Sequence, residues 1–107
     1  DYAWVGDDAV LYTLGEITIG ANSVVSQKCY LCTGSHDFMS QHFDITASPI
    51  AIGEKCWLAT DVFVAPGVSV GDGTVVGARS SVFKSLPANK VCRGNPAVVI
   101  RERVETD

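Results

Sequence analysis

Histidine is nearly absent from this chain, which holds only His36 and His42 in 107 residues. Any chemistry that needs an imidazole therefore falls to one of two positions. Long apolar runs are also lacking: none approaches the length of a membrane span, and no secretory signal is visible. Basic residues are in the minority, 8 Lys and Arg against 12 Asp and Glu for a formal net charge of -4. That balance speaks against a nucleic-acid binder and against long-range attraction of an anion. The length fits one domain, taken as residues 1–107.

What is abundant is a six-residue beat. An aliphatic residue recurs at Val5, Leu11, Ile19, Val25, Leu31, Ile52, Leu58, Val64, Val70, Val76 and Val82. The second place of each repeat is often Gly or Ala, and the fifth is small or β-branched, as at Ala9, Ser23, Cys29, Ser35, Cys56, Val62, Val68, Thr74 and Ser80. A spacing of six fits neither the alternation of a lone strand nor the helical period, but it fits one short strand plus one corner. The expectation is an all-β chain, a parallel β-helix of about four hexapeptide coils with the first incomplete. Three repeats make a coil, so residues eighteen apart stack: Ile52 with Val70, Leu58 with Val76, Val64 with Val82. A Val-rich sandwich would instead need period-two strands and hairpins at varied spacing.

Three departures interrupt the beat. Ile17 and Thr18 read as a two-residue insertion at a corner. Residues 37–51 form a longer excursion, an inserted loop of the size that carries function. Pro96 to Val104 reads as a C-terminal tail over the last coil. The chain also opens at Asp1 inside a running repeat without an initiator Met, so the expectation is a piece that lacks the N-terminal part of a larger architecture.

Four thiols occur, Cys29, Cys32, Cys56 and Cys92. Cys29 takes an inward fifth place whereas Cys32 follows an inward Leu, so the two sulfurs face apart and suit neither a shared zinc nor a disulfide. No metal is expected. Reduced thiols point to the cytoplasm.

His36 stands at the end of its coil, facing out, immediately before the excursion. A neutral imidazole there can take the proton of a hydroxyl as it attacks a thioester, a step that needs no covalent enzyme intermediate. Asp37 is expected to point away from the ring, and His42 and Asp44 to face solvent or acceptor. Arg79, Lys84, Lys90, Arg93, Arg101 and Arg103 gather six of the eight basic residues toward the C-terminal end, where a phosphorylated cofactor could be gripped.

The stretch from Ile19 to Arg101 resembles the left-handed β-helix acyltransferases of the sugar O-acetyltransferase branch, the galactoside, maltose, nodulation and colanic-acid types. The likeness rests on Gly34-Ser35-His36-Asp37, on Ile52-Gly53-Glu54-Lys55-Cys56-Trp57-Leu58, on Ala65-Pro66-Gly67-Val68, on Val76-Gly77-Ala78, and on Arg93-Gly94-Asn95-Pro96-Ala97 with Val99-Ile100-Arg101. The resemblance implies an acetyl-CoA dependent O-acetyltransferase acting on a hydroxyl of a sugar or saccharide acceptor, with His36 as its catalytic base. It further implies that Trp57 lies beside the transfer site, that Thr60 and Ala78 line the pantetheine groove of coenzyme A, and that Lys84 and Arg101 contact its phosphates. The family is similar in being trimeric, with each site shared between neighbours. The apolar sixth places Val10, Val24, Tyr30, Trp57, Phe63 and Val75 independently call for a partner, and a homotrimer is expected.

Two features depart from the family's pattern: Phe83 stands where a small polar residue is common, and Arg79 where Gly is frequent. Acceptor-binding residues do not transfer, and acyl length, regiochemistry and O- against N-acetylation stay open. Two other readings are a non-catalytic scaffold or inactive fragment of such an enzyme, and a γ-type carbonic anhydrase, whose zinc is held by three His at a subunit interface.

Overall fold

A computed structural model describes residues 2–104, and no helix occurs among them. The first coil consists of β1 (Trp4–Val5), β2 (Val10–Tyr12) and β3 (Ile17–Ile19). The second holds β4 (Val24–Val25) and β5 (Tyr30–Cys32), then an inserted hairpin of β6 (Gly34–His36) and β7 (Ile45–Ala47), then β8 (Ile50–Ile52). The third is β9 (Trp57–Leu58), β10 (Phe63–Val64) and β11 (Ser69–Val70). The fourth has β12 (Val75–Val76) and β13 (Ser81–Val82), its third side reduced to a single bridge from Leu86 to Val70. The chain ends in β14 (Lys90–Gly94) and β15 (Ala97–Glu102).

Successive coils stack in parallel to give a three-sided prism 55 Å long. One face runs β1-β4-β9-β12-β14-β15, the second β2-β5-β10-β13, the third β3-β8-β11. The register is the expected one: Ile52 pairs with Val70, Leu58 with Val76 and Val64 with Val82. First-place residues from Val25 onward are buried together with the fifth-place Cys29, Cys56, Val62 and Val68. A two-residue strand buries one side chain inward and the three-residue β8 buries two, Ile50 and Ile52, so the core is a column that only stacking can close.

The left-handed backbone conformation falls on the fourth residue of a repeat, not the second. Asp8, Lys28, Asp61 and Arg79 adopt it along one edge, and Asn22, Lys55, Gly73 and Asn89 along another. Gly at the second place serves close approach instead, since a Cβ on Gly20 would stand 2.5 Å from the Gly53 carbonyl carbon of the next coil.

The fifth place is selected for more than size. Ser23 Oγ donates to the Gly53 carbonyl at 2.7 Å, Cys56 Sγ to that of Gly71 at 3.1 Å, and Thr74 Oγ1 to that of Pro87 at 2.5 Å. Cys29 Sγ reaches the Ala59 carbonyl at 3.1 Å. Each donor satisfies a carbonyl that a sharp corner turns away from the strand ladder.

Three expectations need correction. Ile17 and Thr18 are not inserted residues: they belong to β3, with Ile17 opposite Ile50, and the two extra residues lie in the preceding corner at 13–16. The excursion is not a loop over 37–51 but a hairpin that already starts at Gly34, while Ile50 and Ala51 are strand. Ser35 is accordingly exposed on that hairpin, and buried Thr33 takes the inward place. The tail behaves as expected in covering the end of the prism, although it does so as a strand. β15 pairs antiparallel with β14, and Arg103 donates to the carbonyls of Lys55 at 2.8 Å and Gly73 at 2.9 Å.

Candidate active site

The hairpin leaves the prism at the edge between the second and third faces, because β5 belongs to one and β8 to the other. Its strands pair Gly34 with Ala47, Ser35 with Thr46 and His36 with Ile45. The root is fixed by Thr33, whose Oγ1 donates to the Tyr12 carbonyl at 2.6 Å and accepts the Gly15 N–H at 2.8 Å. One buried hydroxyl thus ties the extended 13–16 corner to the hairpin. Gly34 allows the two to close, since a Cβ there would meet Leu14 Cδ1 at 2.6 Å and Tyr12 Cε2 at 2.7 Å.

Between them lies a cavity of about 90 Å³ lined by Tyr12, Leu14, Gly34, Ser35, His36 and Ile45. His36 is exposed, and its Nδ1 lies 2.9 Å from the Phe43 carbonyl. A carbonyl can only accept, so Nδ1 carries a proton in this contact, and in the neutral ring that leaves the lone pair on Nε2. The ring is therefore set to receive a proton at Nε2. Tyr12, Leu14 and Ile45 were not foreseen as site residues. The one available signal was the lengthened interval between Leu11 and Ile19.

The residues expected to hold the cofactor fall into three places. Thr60 and Ala78 follow β9 and β12 at the edge between the first and second faces, where Thr60 Oγ1 donates to the Gln27 carbonyl at 3.0 Å. Trp57 and Arg101 share one outward row, Trp4, Val24, Trp57, Val75, Val91, Arg101, across the six-stranded face. Three strand steps separate that pair, roughly 14 Å. The indole is held by a 3.0 Å bond from Nε1 to Ser26 Oγ. Lys84 stands at the same edge as His36, two coils further on. A single chain thus sets His36 and Lys84 on one edge two coils apart and Trp57 near the corner of Thr60, but does not gather all six into one groove.

The basic residues divide as well. Lys90 pairs with Glu102, Arg79 lies 4.0 Å from Asp61, and Arg103 is committed to the two carbonyls. Among the described residues Lys84, Arg93 and Arg101 have no ion-pair partner. The departures from the family's pattern both sit on the surface: Phe83 packs its ring 5.9 Å from that of Phe63, and Arg79 adopts the left-handed conformation that Gly would take freely. All four cysteines are free thiols, and among the described residues no three His, Cys, Asp or Glu side chains converge as a metal site.

No family model matches the chain. Over all 107 residues it is 86% identical to the Escherichia coli (strain K12) protein named "Putative colanic acid biosynthesis acetyltransferase WcaF", of which it spans 59%. A maltose O-acetyltransferase from Clostridium difficile superposes with a TM-score of 0.82 at 30% identity, covering 96% of this chain and 60% of that one. A hexapeptide-repeat acetyltransferase of Vibrio cholerae complexed with acetyl-coenzyme A gives a TM-score of 0.86 at 25% identity, covering 98% of this chain and 62% of its own. The chain thus spans about three fifths of the relatives it matches. With the repeat register, the triangular stack and these relatives in agreement, the chain has the left-handed parallel β-helix fold of the hexapeptide-repeat acetyltransferases to which it is similar.

Proposed function

We propose that the protein transfers an acetyl group from acetyl-CoA to a hydroxyl of a saccharide acceptor, with His36 as general base. The observation that carries this reading is the His36 ring at the lip of a small cavity, its Nδ1 engaged by the Phe43 carbonyl and its Nε2 free. The acceptor oxygen attacks the thioester carbonyl as Nε2 takes its proton. The tetrahedral intermediate collapses with cleavage of the C–S bond, and the imidazolium returns the proton to the departing sulfur. Acetyl ester and free coenzyme A are the products, and the imidazole is regenerated. Tyr12, Leu14 and Ile45 offer the acceptor an apolar wall suited to the C–H face of a sugar ring.

Coenzyme A lies, in this reading, in a seam between two protomers of a homotrimer, with Trp57, Thr60, Ala78, Lys84 and Arg101 along its path. The dispersal of those five residues over separate edges of one prism supports the shared site. So does the exposed apolar row that includes Trp4 and Trp57, at 55% and 50% exposure. The family relative solved with acetyl-coenzyme A supports the choice of acyl donor. A cytoplasmic location is part of the proposal and follows from the four unbridged thiols.

Thiol release from acetyl-CoA in the presence of a glycan panel tests the reading. His36→Ala is expected to lower turnover by about 10²- to 10⁴-fold while coenzyme A binding by calorimetry is retained. Equal rates in the two proteins would remove His36 from its role, and absence of coenzyme A binding in the wild type would leave a scaffold.

A further inference from the structure

We propose that Asp37 is a positioning residue for this reaction, fixing the tautomer of His36 through the Phe43 carbonyl without touching the ring; the inference rests on His36 being the base. Asp37 follows His36 in an extended strand and so projects to the opposite side. Its Oδ1 instead accepts the Met39 N–H at 3.0 Å, while its carbonyl accepts the Ser40 N–H at 3.1 Å. Residues 37–40 are thus a turn stapled by its own first side chain. Ser40 repeats the device: its Oγ accepts the His42 N–H at 3.4 Å and its carbonyl the Phe43 N–H at 3.2 Å.

Two turns in series deliver Phe43 at φ 51°, a conformation that a bulky residue adopts only when its surroundings impose it. That conformation aims the Phe43 carbonyl at His36 Nδ1, 2.9 Å away. The Asp37 N–H closes the hairpin on the Asp44 carbonyl at 2.8 Å, so the whole loop hangs from one residue. Loss of the staple releases the strain at Phe43, turns its carbonyl, and frees the ring to carry its proton on either nitrogen.

The test compares wild type, Asp37→Asn and Asp37→Ala by ¹⁵N chemical shifts of the His36 ring and by thiol release from acetyl-CoA. An Asn oxygen can accept the same N–H, so Asp37→Asn is expected to keep both the Nδ1–H tautomer and the rate. Asp37→Ala is expected to show mixed tautomers and turnover about 10- to 100-fold lower, with KM for acetyl-CoA unchanged. Wild-type ring shifts in Asp37→Ala would overturn the proposal. So would equal loss in Asp37→Asn, which would assign the effect to charge instead of turn geometry. Should the wild type release no thiol, the base role of His36 fails, while the ring shifts still decide the role of Asp37.

Discussion

Cysteine in this chain is best understood as a small donor. Cys29 and Cys56 place Sγ 3.1 Å from a carbonyl of the next coil, the task that Ser23 and Thr74 perform with a hydroxyl. Cys56→Ser is therefore expected to keep stability within about 1 kcal/mol, whereas Cys56→Val, which removes the thiol donor and leaves the Gly71 carbonyl only the Thr74 N–H, costs about 0.5–1.5 kcal/mol in urea denaturation. Burial pushes the thiols of Cys29, Cys56 and Cys92 above the ordinary range. The folded protein then holds protons that the unfolded chain has released, so stability is full below about pH 8.5 and declines as pH rises beyond it. The urea midpoint should fall as pH rises above about 8.5, and replacing the three thiols by Ser should flatten that slope. A slope unchanged by the replacement would place the titrating groups elsewhere. From sequence the inward place and small size of Cys29 and Cys56 were legible. Their hydrogen bonds were not, because the acceptors belong to residues fifteen and thirty positions away.

Between the coils, the hairpin and its facing corner act as one unit, and Thr33 is the pin. Thr33→Val keeps the shape of the side chain but leaves the Gly15 N–H without its acceptor. The expected outcome is a loss of about 1–3 kcal/mol together with faster amide exchange at Gly15. At the other end, Arg103→Ala should leave the prism folded while speeding exchange along Ala97–Glu102, since it removes the bonds to Lys55 and Gly73. These irregular elements are where sequence and structure part company. Ser35 falls on the six-residue beat by coincidence, which hides the start of the hairpin at Gly34. Ile17 and Ile19 both point inward from one three-residue strand, so counting alone cannot say on which side of them the extra residues lie. His36 was legible as the candidate base through its motif. Tyr12 and Leu14 were not, since they reach the cavity only through the coil stacking and the Thr33 contact.

Across the whole prism, stability is a property of neighbouring coils, and a central side chain serves several of them. Leu58 sits between Val25 and Val76 and is fully buried. Leu58→Ala should cost about 2–5 kcal/mol and shift the single unfolding transition as a unit. The proposed assembly is checked by light scattering: a mass three times that of the chain is expected, and a charged residue in place of Trp57 should lower it. Parallel registers at eighteen-residue spacing were readable in advance because the first-place aliphatic of every repeat from Val25 to Val82 turns inward. The edge residues carry a final consequence. Stacked corners make each edge a ruler graduated in strand spacings of about 4.8 Å. The separation of Lys84 from His36 along that ruler is set by the number of rungs between them, so splicing in a complete extra turn of the spiral would lengthen the gauge by one division and leave both ends intact.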